Sequence, residues 1–170
     1  MADRTLIEAA IASLLKPRGF QKKRSTWHRP QPEAVLVVNV QKSEWGPRLY
    51  VNLGVYLRGL GQEERPPEYK CHIRTRLDRV LVDPNTFVDA LDLESRLTDA
   101  ERERIVGDAI VQGAIPWLEA RETNLKARVA LLAEEKPSGL VMAVARKHLE
   151  LTGAVEQAVA ADDPAAAKSE

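Results

Sequence analysis

Polar and aromatic side chains recur at alternate positions of residues 39–58, and again at residues 72–76. Alternate residues of a β-strand lie on one face, so both groups share a surface if their strands are neighbours. Amides and phenols on such a surface hydrogen-bond a ligand or partner, and guanidinium groups bind carboxylate or phosphate. The candidate binding residues are Asn39, Gln41, Tyr50, Asn52, Tyr56, Arg58, His72, Arg74 and Arg76.

Two strands joined by a turn are predicted to position the first six of these residues. Every second residue of 49–57 is apolar, and residues 36–40 repeat the pattern upstream. The Gly-Pro pair at 46–47 predicts the turn between them. Both apolar sets must face the core, and the register that pairs Val40 with Val51 satisfies this requirement.

The same register predicts the pairs on the other face. Asn39 falls opposite Asn52, and Gln41 falls opposite Tyr50. One interpretation is a binding surface, because aromatic residues with a polar tip are favoured at contacts. The other is the solvated face that antiparallel sheets commonly present.

The second half of residues 20–29 predicts a strand before the hairpin. Residues 71–79 alternate like the hairpin strands and predict a fourth strand. Its core face takes the odd-numbered residues from Cys71 to Leu77. Its outer face takes His72, Arg74 and Arg76. Cross-strand pairing of these cations with acids such as Glu33 is the alternative to ligand binding.

Helices are predicted before and after these strands in the sequence. Residues 3–16 form an amphipathic helix, with Thr5 and Glu8 as a capping box. Residues 87–97 fit a short helix or an edge strand. A second box, Thr98-x-x-Glu101, starts a helix that a glycine at 113 and a proline at 116 break or kink.

The C-terminal part is alanine-rich and predicts three short helices, at 125–135, 140–151 and 154–160, separated at Gly139 and Gly153. The fold class is α+β, with an N-terminal helix, a meander sheet of about four antiparallel strands, and helices packed on one face. The expected divisions are an α+β domain at 1–122, a helical extension at 123–161 and a disordered tail at 162–170.

Composition excludes several classes of protein. The single Cys71 excludes an internal disulfide framework and fits a reducing compartment. No apolar run approaches the ~20 residues that span a bilayer, and the N-terminus lacks the pattern of a signal peptide, so a cytoplasmic protein without a membrane partner is expected. The net charge of zero hides a basic half, residues 1–82, and an acidic half, residues 83–170. The two halves either neutralise each other or meet a charged partner.

Known catalytic and cofactor motifs are missing from the sequence. Zinc requires three or four ligands at suitable spacing, and one cysteine with three scattered histidines does not supply them. There is no Walker loop, no dinucleotide-binding glycine motif and no H-E-x-x-H. We therefore predict no metal, no cofactor and no catalytic residue, and we favour a protein that is not an enzyme.

A basic stretch at 22–29 suggests RNA or single-stranded DNA binding as an alternative, because cations near an aromatic ring grip phosphate and stack bases. Its residues are Lys22, Lys23, Arg24, Trp27 and Arg29. The sequence pI of 6.9 lacks the broad basic footprint of such proteins.

Five motifs follow one another along residues 16–74: K-x-x-G-F, a Trp after a basic turn, N-x-Q-x-S-x-W-G, Y-V-N-L-G-V and C-H-I-R. Together they resemble the bacterial domain of unknown function 4304 family over residues 3–120. The resemblance implies a small α+β protein and supplies no catalytic residues.

The leading hypothesis is a non-enzymatic module that binds a protein or peptide partner through the polar-aromatic face of its sheet, in a toxin-neutralising or regulatory role. The alternative is an enzyme or binder for a small anionic or phosphorylated ligand. That alternative uses Arg58, His72, Arg74 and Arg76.

Overall fold

The computed structural model describes residues 3–136 and 138–161, and the predicted tail at 162–170 lies outside them. Within these residues, six strands form one sheet in the order β1 to β6, and all neighbouring strands are antiparallel. The strands are β1 (Gln21–Lys23), β2 (Thr26–Pro30), β3 (Ala34–Lys42), β4 (Leu49–Leu57), β5 (Ile73–Arg76) and β6 (Leu140–Val141). The α+β fold and the meander order are confirmed, with β1 and β6 added to the four predicted strands.

Helices cover the apolar face of this sheet. They are α1 (Arg4–Leu15), α2 (Asn85–Ala90), α3 (Asp99–Ala109), α4 (Ile115–Glu119), α5 (Asn124–Ala133) and α6 (Ala143–Ala161). Ile11 of α1 and Val106 of α3 are buried with Val38 and Leu53 of the central strands in one core. Each apolar side chain of this size contributes roughly 1.5–3 kcal/mol when it is fully buried.

Helix ends match the sequence in one case and differ from it in another. Thr98 and Glu101 form the predicted capping box at the start of α3. The predicted box of Thr5 and Glu8 is wrong, because Asp3 caps α1 by accepting from the Leu6 N–H at 3.0 Å. Glu8 turns instead toward Arg4, with Nε at 2.6 Å from its carboxylate.

The ambiguous segment at 87–97 is a short helix, α2, followed by a turn whose Asp92 bridges to Arg48. The predicted break near Gly113 and Pro116 is a π-helical segment, Ile110–Ala114, that joins α3 to α4. Pro116 comes just after this π-helical segment and is the second residue of α4.

The C-terminal residues join the main body. Leu140 and Val141 pair with β5 as β6 instead of starting a helix. Gly153 does not end a helix, since α6 runs through it and Arg128 of α5 packs against its bare Cα. The buried Ala127 and Leu149 belong to the same core as the central strands.

Part of the charge asymmetry is neutralised inside the molecule. Arg29 of the basic half reaches Glu119 at 3.3 Å and Glu122 at 2.9 Å in the acidic half. Arg48 also lies 3.3 Å from Asp92. These ion pairs connect the sheet to the helices and turns that come after it in the sequence.

Candidate functional site

The predicted register of the central hairpin is confirmed and sets the polar rows of the sheet. Asn39 lies opposite Asn52, and Gln41 lies opposite Tyr50. The next strand continues the first row, because Asn52 pairs on its other side with Arg76. A continuous polar row therefore crosses β3, β4 and β5.

We call the uncovered part of this surface the open face. It consists of Asn39, Gln41, Tyr50, Asn52, Arg74 and Arg76. Its amides are bonded to one another, since Asn52 Nδ2 donates to Asn39 Oδ1 at 3.2 Å and to Gln41 Oε1 at 2.9 Å. Asn39 Nδ2 in turn donates to Thr26 Oγ1 at 2.9 Å, which extends the network to β2.

The arginines of the open face are also held in place. The Arg76 guanidinium lies over the Tyr50 ring, 4.8 Å from its centroid. Its Nε is 3.5 Å from Asp78 Oδ1. Arg74 Nη1 donates to the Tyr69 carbonyl at 3.3 Å. Both side chains keep further N–H groups for a ligand, because a guanidinium carries five donors.

The structure places the other three candidate residues away from the open face. Tyr56 and His72 are buried, and their rings meet at 4.6 Å between centroids. The segment 61–71 covers this end of the sheet, where the Tyr56 hydroxyl accepts from the Glu63 N–H at 3.4 Å. Arg58 Nε donates to the Gln31 carbonyl at 2.7 Å. The four residues of the anionic-ligand alternative are thus not gathered into one cluster.

Cys71 lies on the opposite side of the sheet from its predicted position. Strand β5 begins only at Ile73, so the alternation does not extend back to Cys71. The thiol packs with Val35, Val37 and Tyr56 in a small second cluster above Gly54. Burial raises the pKa of this thiol far above its ordinary value, which makes it an inert packing group.

His72 is held as a neutral imidazole. Its Nδ1 accepts from the Leu57 N–H at 2.9 Å, which requires that this nitrogen carry no proton. Burial, and then the neighbouring His148, lower the pKa of His72 below its ordinary value. A protonated His72 would lose the Leu57 bond and leave a charge in a buried site.

This environment predicts an acid-sensitive fold. Because the pKa of His72 is lower in the folded than in the unfolded chain, its stabilisation is complete above about pH 6.5 and declines as the pH falls further. We expect His72→Asn to reduce the slope of unfolding free energy against pH by up to ~1.4 kcal/mol per pH unit below about pH 6.5. Urea unfolding at several pH values measures this slope. Burial lowers the pKa of His28 as well, so part of the slope remains. Equal slopes in the variant and the wild type would contradict the assignment.

The basic stretch at 22–29 is divided by the fold. Trp27 is 1% exposed and lies in the core, so it offers no face on which a base could stack. Lys22 bonds Glu8 at 2.8 Å, and Arg29 is engaged by the two glutamates described above. Lys23 and Arg24 remain exposed at the β1–β2 turn.

Sequence reasoning missed three residues beside the open face. Arg79, Gly139 and Leu140 line a cleft together with Arg74 and Arg76. Arg79 was within reach of the alternation, but it stands just after β5 in a helical turn. Nothing in the local sequence connects residues 139–140 to β5, because that contact depends on strand pairing.

Neither a metal centre nor a membrane span is found in the part of the chain that the structure describes. No group of three or more His, Cys, Asp or Glu side chains there is placed to hold a metal ion. No described helix is both long enough and apolar enough to cross a bilayer.

Residues 11–120 match the family described as Domain of unknown function (DUF4304). The chain belongs to the DUF4304 family. The DUF4304 match runs from within α1 to the end of α4, includes strands β1 to β5, and stops before α5. No curated protein and no solved structure matches the chain. In this DUF4304 protein, Gly139 and Leu140 of the cleft therefore come from outside the matched region.

Proposed function

We propose that this DUF4304 protein is a non-enzymatic binding module that recognises a protein partner through the open face. The observation that carries the proposal is that the side chains of the open face are held in fixed positions. Its three amides are bonded to one another, and its tyrosine is stacked with an arginine. A merely solvated face does not need such constraints.

Fixed side chains favour binding because little conformational entropy remains to be lost. Immobilising a flexible side chain at an interface costs about 0.5–1.5 kcal/mol. Asn52 is already buried, at 6% exposed, and bonded to Asn39 and Gln41, and Arg76 already lies on the Tyr50 ring. Tyrosine and arginine are also the residue types that most often dominate binding energy.

The arrangement favours binding over catalysis. Acid–base chemistry needs a titrating group within reach of a substrate. His72 Nδ1 instead accepts from the Leu57 amide, and the Cys71 thiol is buried against Val35, Val37 and Tyr56. A toxin-neutralising or regulatory role is a form of partner recognition that fits within the proposal.

Tyr50→Ser should weaken partner binding by about tenfold or more, since buried tyrosines at interfaces contribute about 2 kcal/mol. The partner is first captured by cross-linking wild-type protein in a lysate of the source cells and then purified for titration by calorimetry. Tyr69→Ser is the matched control, because Tyr69 is 66% exposed and lies outside the open face. Tyr56 is unsuitable for this test because it is buried and its loss would disturb the fold.

Two results would overturn the proposal. One is a partner whose affinity is the same for wild type, Tyr50→Ser and Tyr69→Ser. The other is the recovery of no specific partner by the wild-type protein under conditions in which it stays folded.

A further inference from the structure

A cleft of about 230 Å³ lies at the β5 side of the open face. Arg74 and Arg76 stand on its sheet side, with the buried Asn52 beside them. Gly139 and Leu140 also line the cleft, because β6 pairs with β5 at Leu140 and so lies beside Arg74. The cleft therefore joins the surface that carries the proposed function to the C-terminal residues beyond the family match.

The cleft concentrates positive charge. Arg74, Arg76 and Arg79 contribute three guanidinium groups to its lining, and Glu68 contributes a carboxylate. Arg79 is exposed. The Nε atoms of Arg74 and Arg76 are buried and make no hydrogen bond among the described residues, although Arg76 Nε faces the Asp78 carboxylate at 3.5 Å. Buried donors of this kind are costly unless a ligand or water pairs with them.

Glu68 is a weak internal partner for this charge. Its carboxylate is 3.9 Å from Arg74 Nη1, beyond hydrogen-bonding distance. Burial raises the pKa of Glu68, and the nearby Arg74 only partly offsets that effect. The acid sits on segment 61–71, so the main chain holds it at the mouth of the cleft without bringing it into full contact with the arginine.

We propose that the cleft binds an oxyanion, the carboxylate or phosphate group of a partner segment seated on the open face. This inference rests on the proposed function and names the chemistry that the partner supplies. Arg76 is the best placed to receive the anion, because stacking on Tyr50 fixes the plane of its guanidinium. Planar guanidinium groups bind carboxylate and phosphate with two parallel hydrogen bonds. Glu68 competes with the anion for Arg74, so it sets the affinity of the site.

Fluorescence polarisation with labelled peptides tests the site. The probes are a hexaglutamate peptide, a hexaglutamine peptide, and a hexaglutamine peptide in which one residue is phosphoserine. Wild-type protein should bind at least one anionic probe at low salt and should not bind hexaglutamine. The tighter of the two anionic probes identifies carboxylate or phosphate as the preferred group.

Variants test whether the anionic peptides bind at the cleft or are attracted to positive charge anywhere on the surface. Arg79→Gln should weaken anionic binding about tenfold, because a charged hydrogen bond is lost. Glu68→Gln should strengthen it by removing the competing carboxylate. Arg104→Gln and Glu103→Gln are the matched controls, since both residues are exposed on α3, away from the cleft. The proposal is overturned if each control changes binding as much as its cleft counterpart, or if neither anionic probe binds more tightly than hexaglutamine.

The two proposals fail in different ways. Loss of the purified partner by Tyr50→Ser, together with equal peptide binding by Arg79→Gln and wild type, would overturn the cleft and leave the proposed function standing. If peptide binding depends on Arg79 but Tyr50→Ser binds the purified partner as tightly as wild type, the proposed function is overturned and the anion site stands.

Discussion

Arg102→Met should lower the free energy of unfolding by about 3 kcal/mol or more, the largest loss we expect from a single side chain. Arg102 is 1% exposed in α3, and its guanidinium is bonded to main-chain carbonyls. Nη1 donates to the Ala90 carbonyl and, at 2.8 Å, to the Asp92 carbonyl. Nη2 donates to Ser95 Oγ at 3.1 Å.

These bonds hold the turn that follows α2, and this turn supports the central hairpin. The Leu49 N–H donates to the Leu91 carbonyl at 2.9 Å, and the Leu93 N–H donates to the Pro47 carbonyl at 2.9 Å. Methionine fills a similar volume but donates no hydrogen bond, so the carbonyls of the turn lose their partner. The consequence should reach the hairpin, because the turn and the β3–β4 connection are bonded to each other.

Urea unfolding followed by circular dichroism measures the effect, with Arg104→Met as the control. Arg104 is two residues away in the same helix, exposed, and paired with Asp108 at 3.2 Å. Its replacement should change stability by no more than about 0.5 kcal/mol. Equal unfolding midpoints for the two variants would show that the buried network contributes nothing beyond helix propensity.

The central part of the fold was predictable because its determinants are local. Alternation at 49–57 and 36–40 admits one register that buries both apolar sets, and that register fixes which polar residues are neighbours. Asn39, Asn52, Gln41 and Tyr50 lie together for that reason. The capping box at Thr98 was readable because both of its partners lie within four residues.

The features that sequence reasoning missed depend on distant partners. Strand β1 is exposed at all three residues, so no apolar alternation marks it. Strand β6 has two residues and exists through its pairing with β5, and Ser138 accepts from Thr75 across 63 positions of sequence. Gly153 was interpreted as a break because glycine weakens a helix interior by about 1 kcal/mol, yet the packing of Arg128 depends on it.

Three of the candidate residues lie away from the open face for a related reason. Alternation predicts the face of a strand but not what covers that face. Segment 61–71 packs over Tyr56, and its polar, proline-rich sequence gave no sign of packing on the sheet. Cys71 was placed on the wrong face because the strand was predicted to start at residue 71, whereas Cys71 caps the helical turn Glu68–Lys70 and β5 begins at Ile73.

Gly139→Ala should detach β6 from the sheet and cost about 2 kcal/mol or more. A Cβ at this position would lie 1.9 Å from the Arg74 carbonyl oxygen and 2.8 Å from Thr75 Cα. Both are main-chain atoms of β5, so a side-chain rotation cannot relieve the clash. Residues 138–141 must move away from β5, and the cleft then loses the part of its lining that Gly139 and Leu140 supply.

Hydrogen exchange at the Met142 amide reports this movement, because that N–H donates to the His72 carbonyl at 2.9 Å when β6 is docked. We expect faster exchange at Met142 in Gly139→Ala and weaker binding of the anionic peptide. Gly107→Ala is the control. A Cβ there would be 3.5 Å from Leu14 Cδ1, an ordinary contact, and alanine inside a helix should stabilise the protein by up to about 1 kcal/mol. Unchanged exchange at Met142 together with wild-type stability in Gly139→Ala would contradict the close β5–β6 contact. Faster exchange with undiminished peptide binding would confirm the contact and remove residues 139–140 from the anion site.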